Sequence, residues 1–298
     1  AVERDTGLGK DTLRVWERRY GFPQPGRDAF GERVYPLAQV EKLRVIKRLM
    51  DQGYRPGRIV SLPIEELQRL TMGMIGTPQT IRNVADDAHA DLQNHLRLIR
   101  EHDAVGLRHG LSQALAHQGL KQFVSGVVAP LTTMVGDAWM VGDLQVHEEH
   151  LFTECMSGLL RQAIGAAADP GEAGSPCILL TTFPQEAHGL GLLMAECMMV
   201  LQGARCLSLG TQTPMSDIVA AAQVHQVHVV ALSFTASMNP KHVIDGLVEL
   251  RQLLPSTVEI WAGGRCPILG RRNVDGVRVL RTLEDIAPEI KRWNDAHA

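Results

Sequence analysis

The sequence predicts a multidomain chain: an α winged helix-turn-helix, a four-helix bundle, and an α/β doubly wound parallel sheet of five strands. Three observations carry this reading. Glycine and proline interrupt the chain heavily before residue 78 and again over 166–176; the apolar rhythm changes at the second interruption from helical spacing to short apolar runs; and the charge is unevenly divided. Residues 1–60 hold 13 basic and 8 acidic side chains, a net +5, while residues 61–298 hold 17 and 25, a net −8, within a total of −3. The total excludes a chain that coats nucleic acid or membrane along its whole length, and the split fits a basic binding module on an acidic body. At 298 residues, 45% apolar and 4% aromatic, the chain is no disordered or fibrous sequence, and two or three packed domains are expected.

The expected domains are 1–75, 79–166 and 176–298, joined by linkers around 73–78 and 166–176. In the second, Ile81, Val84, Ala88, Leu92, Leu96 and Ile99 recur at three- or four-residue steps and form one buried stripe. Asp103 can cap a second helix ending near Gly119, a third runs to about Gly142, and a fourth begins near Asp143, which together suggest an antiparallel bundle. In the third, apolar runs at 177–183, 204–210, 227–235, 257–262 and 276–280 alternate with helical stretches at 187–202, 215–226, 239–254 and 282–293. That alternation implies parallel strands with crossover helices, so ligands are sought just beyond the carboxyl ends of the strands.

The five cysteines are scattered and form no C-x-x-C pair, which suits a reducing cytosol. The most apolar stretch, near 124–141, contains Ser125, Thr132, Thr133 and Asp137, so no membrane span or targeting segment is expected, and the expected location is cytoplasmic. The chain opens at Ala1 in what reads as the middle of a helix, and a short preceding N-terminus is expected.

Residues 10–20, KDTLRVWERRY, form an amphipathic pattern in which Leu13, Trp16 and Tyr20 face inward and Lys10, Arg14, Arg18 and Arg19 face outward. Thr6-Gly7-Leu8 supplies a tight turn before it, and Arg27 to Tyr35 read as a hairpin with its tip at Gly31. Turn, helix and arginine-bearing wing stand in the order a major-groove reader needs, against the plain reading of a solvated cationic helix. The run Thr12-Leu13-Arg14-Val15-Trp16-Glu17-Arg18-Arg19-Tyr20-Gly21 resembles the T-L-R-x-W/Y-E-R-x-x-G motif of the MerR family of winged-helix regulators, over about residues 2–53. The resemblance implies operator DNA as partner, contacted by Lys10, Thr12, Arg14, Arg18 and Arg19 on the helix and Arg27, Arg33 and Tyr35 on the wing. The amphipathic stretch 40–50, closed by Gly53, starts the connection to the other domains.

Glu186-Ala187-His188-Gly189-Leu190-Gly191 follows the first strand of the sheet, Ser233 ends the third, and Gly263-Gly264 end the fourth. Glu186 can accept a ring N–H of His188 and fix its tautomer, and paired glycines admit a ligand close to the backbone. Singly, each has a plain reading as a capping histidine or a turn. Together they resemble the cobalamin-binding fold, with D/E-x-H-x-x-G, S-x-L/T and G-G motifs; 41 residues separate Gly191 from Ser233 and 27 separate Thr235 from Gly263. The resemblance implies His188 as the lower axial cobalt ligand, Glu186 and Ser233 as its supports, and Gly191, Gly263 and Gly264 as room for the nucleotide tail; Thr235 stands where Leu is commoner.

Trp139, Glu149 and His150 reproduce Trp-x9-Glu-His and resemble the signature of CarH-type photoreceptor regulators, which also share the three-domain order. The resemblance implies that these three residues meet the 5′-deoxyadenosyl group of adenosylcobalamin and that the bundle distinguishes it from a methyl group by about a few kcal/mol. It implies a non-enzymatic repressor that forms a homo-oligomer, a tetramer or dimer of dimers, on operator DNA in the dark and associates with the nucleoid. In that group the light-state upper ligand follows the Trp directly, and here that position is Met140; His147, His150, water or Met140 itself can take the site, or cofactor can be lost. His147 and His150 also share a helix face as zinc ligands do, although H-E-x-x-H is absent and the sequence shows no third ligand. Other readings are a light-independent cobalamin sensor, a corrinoid methyl carrier, which has no use for a DNA reader, and a regulator with a vestigial sheet.

Overall fold

The computed structural model describes all residues except 1, 3–5, 7, 29–30, 52–53, 73–84, 168–174 and 298. The expected turn at Gly7, Gly53, the linker at 73–78, Ile81 and Val84 of the bundle stripe, and most of the second linker lie outside the described residues, as does the side chain of Met140. The chain packs into two compact units, residues 1–81 with 137–144 and residues 82–136 with 145–298.

In the first unit, helix α1 (Lys10–Tyr20) buries Leu13 and Trp16 at i, i+3 spacing and stops at Gly21, whose φ of 69° is the left-handed conformation that glycine adopts without cost. A two-residue ladder, β1 (Gly26–Arg27) with antiparallel β2 (Arg33–Val34), makes the wing. Helices α2 (Leu37–Asp51), α3 (Pro56–Ile59) and α4 (Ile64–Met72) follow. Leu8, Leu13, Trp16, Leu43, Ile46 and Leu49 pack with Ile59 and Leu67 in one core. Each such apolar side chain contributes about 1.5–3 kcal/mol when removed from water, so this core is what holds α1 to the helices that follow.

The second unit carries the bundle and the sheet. Helices α5 (Ala85–Arg100), α6 (Ala104–Phe123), α7 (Ala129–Val141, whose residues from 137 belong to the first unit) and α8 (Val146–Ala167) correspond to the four expected helices. Leu92, Leu96 and Ile99 are buried as their spacing requires. Asp103 caps α6, accepting from the Gly106 N–H at 2.8 Å. Two boundaries differ from expectation. Gly119 breaks helical geometry at φ 73°, yet hydrogen bonding continues beyond it to Phe123 and through a π turn at Val124–Val128, so the chain reaches α7 without a loop. Helix α8 begins at Val146 rather than Asp143, because the Asp143 N–H is consumed in closing α7 on the Ala138 carbonyl, 2.9 Å, around Gly142 at φ 84°. Glu149 and His150 therefore sit in the first turns of α8.

Strands β3 (Cys177–Thr181), β4 (Arg205–Gly210), β5 (Val229–Phe234), β6 (Glu259–Gly264) and β7 (Val277–Leu280) form one parallel sheet in the order β4-β3-β5-β6-β7. Between them run α9 (Leu190–Val200), α10 (Met215–Val224) and α11 (Pro240–Leu253), with α12 (Ile286–His297) closing the chain. This last helix starts four residues later than the spacing suggests, because Thr282 and Asp285 make a capping box around a 3-10 turn first. β3 and β5 are buried throughout, as strands covered on both faces must be. Helix α9, LGLLMAECMMV, is apolar nearly all round because the sheet lies on one side of it and α8 on the other. The strand order reverses between β3 and β5, so the crevice at their carboxyl ends is the place such sheets use for ligands.

Candidate cofactor site and nucleic-acid interface

The loop leaving β3 is tied down before it reaches His188. Thr182 Oγ1 donates to the Glu186 carbonyl at 2.6 Å and accepts from the Gln212 N–H at 2.9 Å, and Thr181 Oγ1 is 2.7 Å from Thr213 Oγ1. Fixed by this loop, the Glu186 side chain is buried to 1% exposure and takes four donors. Its Oε1 accepts from the His188 backbone N–H at 3.0 Å and meets His188 Nδ1 at 2.6 Å; its Oε2 accepts from the Thr235 N–H at 2.7 Å and Oγ1 at 2.6 Å. Burial alone pushes this carboxyl up, but the bonds from His188 and from Thr235 outweigh it and hold Glu186 below the usual carboxylate range. A carboxylate so satisfied keeps a proton on Nδ1 and leaves the imidazole lone pair on Nε2, the arrangement of a histidine prepared to bind a metal. The His188 ring is 62% exposed at the sheet edge.

Glu186, His188, Ser233 and Thr235 thus gather at the β3/β5 crevice. Gly191 and Ser233 also adjoin there: a Cβ on Gly191 would lie 2.9 Å from Ser233 Oγ, so a side chain at 191 would displace that hydroxyl. Gly264 has φ 104°, and a Cβ there would fall 2.3 Å from the Phe234 carbonyl oxygen. The sheet itself therefore requires glycine at 264; Gly263 is less constrained, 3.3 Å from the Leu280 carbonyl by the same construction. The Arg265 guanidinium reaches from the loop after β6 to Thr133 Oγ1 on α7, 2.9 Å, linking the sheet's carboxyl edge to the bundle.

On α8, His150 Nδ1 is 2.7 Å from Glu149 Oε2, and Thr153 Oγ1 donates to Glu149 Oε1 at 2.7 Å. Trp139 is half-buried on α7 and falls in the first unit, whereas Glu149 and His150 fall in the second. Sequence reasoning did not find Thr182 or the Thr235 bonds to Glu186. A Thr where the resembled motif commonly has Leu was the available signal for Thr235.

In the N-terminal module, Lys10, Arg14, Arg18 and Arg19 are exposed on α1, and Thr12 is half-buried. Arg14 Nη1 lies 3.2 Å from Asp11, an exposed pair that phosphates can replace. The wing arginines are engaged within the module: Arg27 Nη1 donates to the Gly31 carbonyl at 2.7 Å, and Arg33 Nη2 lies 3.3 Å from Glu17 Oε2. Burial pushes the Tyr35 phenol up, so it stays a neutral O–H. One helix face thus offers four cations, while the wing is braced by its own.

Residues 1–62 match the pattern of the MerR HTH family regulatory proteins, and residues 92–163 match that of a B12 binding domain. The chain is 30% identical over 262 residues to the HTH-type transcriptional repressor CarH of Myxococcus xanthus, covering 87% of this chain and 85% of that one. It is 28% identical over 265 residues to the HTH-type transcriptional repressor CarA of the same organism, covering 88% and 85%. Among solved structures, the monomethylamine corrinoid protein of Methanosarcina barkeri matches with a TM-score of 0.55 at 14% identity, over 67% of this chain and 97% of that one, a likeness of fold. No described helix is long and apolar enough to cross a membrane. With a DNA-reading module, a B12 binding domain and this identity over most of its length, the chain belongs to the CarH-type, MerR-family cobalamin-binding transcriptional regulators.

Proposed function

We propose that the chain is a light-responsive repressor that holds adenosylcobalamin, assembles as a homo-oligomer on operator DNA in the dark, and leaves it after illumination. The observation that carries the cofactor side is the buried Glu186 carboxylate, whose four donors orient His188 at the sheet edge. His188 holds cobalt through Nε2, with Glu186 fixing its tautomer and Thr235 fixing Glu186 in turn. These residues fit a corrin with a histidine lower ligand: the donor set is one imidazole, already oriented, at the crevice where the strand order reverses. Gly191, Ser233, Gly263 and Gly264 line the path of the nucleotide tail. Trp139, Glu149 and His150 are assigned to the upper ligand on the resemblance to the family signature. The bound cofactor supplies a cobalt–carbon bond that light cleaves.

On the DNA side, Lys10, Thr12, Arg14, Arg18 and Arg19 contact the groove and its phosphates, with Arg27, Arg33 and Tyr35 on the wing. Gathering several modules in one oligomer raises avidity beyond that of a lone module, and the cofactor biases assembly by binding the associating state better. Localisation in the cytoplasm and on the nucleoid accords with this role. A second reading, light-independent cobalamin sensing, is favoured by Met140, whose thioether is a weak ligand for oxidised cobalt. A gel shift separates the two, run with an operator selected from genomic fragments and adenosylcobalamin, in darkness and after green light. A shift lost only after light supports the first reading; a shift that ignores light but needs cobalamin selects the second; a shift that ignores cobalamin defeats both.

A further inference from the structure

The turn between α5 and α6 brings His102 to the start of α8. His102 Nε2 stands 3.2 Å from His147 Nε2 and 3.0 Å from Glu148 Oε1, and the three ligand atoms all lie within 4.8 Å of one another. One hydrogen cannot serve this arrangement well. If His102 Nε2 carries it toward Glu148, then His147 meets an N–H already committed elsewhere. If His147 donates instead, the lone pair of His102 faces the carboxylate oxygen. Ligands bound tetrahedrally at about 2.0–2.1 Å stand about 3.3 Å apart, close to the 3.2 and 3.0 Å that separate His102 Nε2 from the other two ligand atoms.

We infer that His102, His147 and Glu148 form a binding site for a divalent transition metal of the zinc type, with water in the fourth position. Two further observations show the ligands to be placed rather than loose. Glu148 is buried at 7% exposure, and its other oxygen accepts from the Gln145 N–H at 2.6 Å, which aims the first at the histidines. His102 occupies the left-handed position of the turn that ends α5, at φ 58°, with the Asp103 N–H on the Leu98 carbonyl at 3.0 Å and its own N–H on Ile99 at 3.1 Å. Gly142 and Gly203 take left-handed positions after α7 and α9; glycine is the usual residue there, although Gln226 also adopts this conformation. His150, the second histidine of the H-E-E-H run, turns to Glu149 instead. The metal clips the α5–α6 turn to the first turn of α8, one residue before Glu149.

The site is tested on the full chain, stripped with a chelator, equilibrated with Zn2+ in the dark and measured for zinc by elemental analysis and by competition with a chromophoric chelator. Wild type is expected to keep one zinc per chain and to melt higher with zinc than without. His102→Asn, in which asparagine tolerates the left-handed backbone, and His147→Gln are each expected to weaken zinc at least about tenfold, while His109→Asn on α6 leaves it unchanged. Wild type that retains no zinc, or His102→Asn that retains it as tightly as wild type, overturns the assignment. If His147→Gln fails to fold, His102→Asn decides alone.

Discussion

Two histidine–carboxylate pairs in the second unit have nearly the same length: 2.6 Å between His188 Nδ1 and Glu186 Oε1, and 2.7 Å between His150 Nδ1 and Glu149 Oε2. The histidines are also similarly open, at 62% and 70% exposure, so the difference lies in the carboxylates. Glu186 is 1% exposed and fully bonded by His188 and Thr235, while Glu149 is 31% exposed and bonded by His150 and Thr153. A buried, saturated carboxylate has one place to be and gives its histidine one orientation. An exposed one exchanges partners with water, and such a pair contributes about 0–1 kcal/mol. The sheet edge thus holds its histidine in one orientation, and the α8 pair is held less firmly.

Removing each carboxylate gives the largest contrast. Glu186→Ala leaves the Thr235 donors and the His188 Nδ1–H without their acceptor, and cobalamin retention in dark equilibrium dialysis is expected to fall about 10–100-fold. Glu149→Ala is expected to change it less than about fivefold, the equivalent of about 1 kcal/mol. Equal losses would mean that burial of the carboxylate is not what distinguishes the pairs.

Acid separates them next. Because the Glu186 pKa is lowered in the folded chain, its stabilising contribution is fully present above the unfolded-state value of about 4.3 and is lost as pH falls through the lower, folded value. Stability of wild type to chemical unfolding should therefore weaken over that acidic window, and Glu186→Gln should remove this part of the pH dependence. A Glu186→Gln profile that retains the full wild-type slope would assign the acid loss to other carboxylates.

A smaller step removes one bond from each pair without removing the carboxylate. Thr235→Val keeps the backbone N–H on Glu186 and deletes the 2.6 Å hydroxyl bond, at a cost of about 1.5–3 kcal/mol for a hydrogen bond to a charged group. Thr153→Val deletes the corresponding 2.7 Å bond to Glu149 and is expected to cost at most about 1 kcal/mol. Midpoints of thermal unfolding, read with cobalamin bound, should fall clearly for the first and barely for the second; the reverse order would place the rigid pair on α8.

How much of this was legible in the sequence follows the same line between local and distant causes. β3 and β5 appear as apolar runs because both their faces are covered, whereas the edge strand β4 is largely exposed and was readable from its place in the alternation with helical stretches; Glu186 with His188 was readable because their spacing is two residues. Thr235 was placed at the sheet edge by its spacing, but its bonds to Glu186 span 49 residues and depend on the parallel pairing of β3 with β5. The start of α8 shifted because the Gly142 turn consumes backbone donors that the apolar pattern does not register. His102 gave no signal at all: its partners lie 45 and 46 residues on, and its place depends on a left-handed backbone that histidine seldom adopts.

The contrast between held and exposed groups extends to the DNA reader. Arg18 is exposed on α1, whereas Arg33 is 31% exposed and already faces Glu17 at 3.3 Å. A cation that meets only water releases a full counterion's worth of free energy when it finds a phosphate, while one already neutralised by a carboxylate gives up that partner first. Arg18→Ala should therefore reduce the slope of log affinity against log salt by about 1, so that the fall in affinity between 50 and 200 mM salt is about fourfold smaller than for wild type. Arg33→Ala should reduce it by less. If the two slopes fall equally, Arg33 leaves Glu17 when it binds, and the wing is a phosphate clamp rather than a brace for α1.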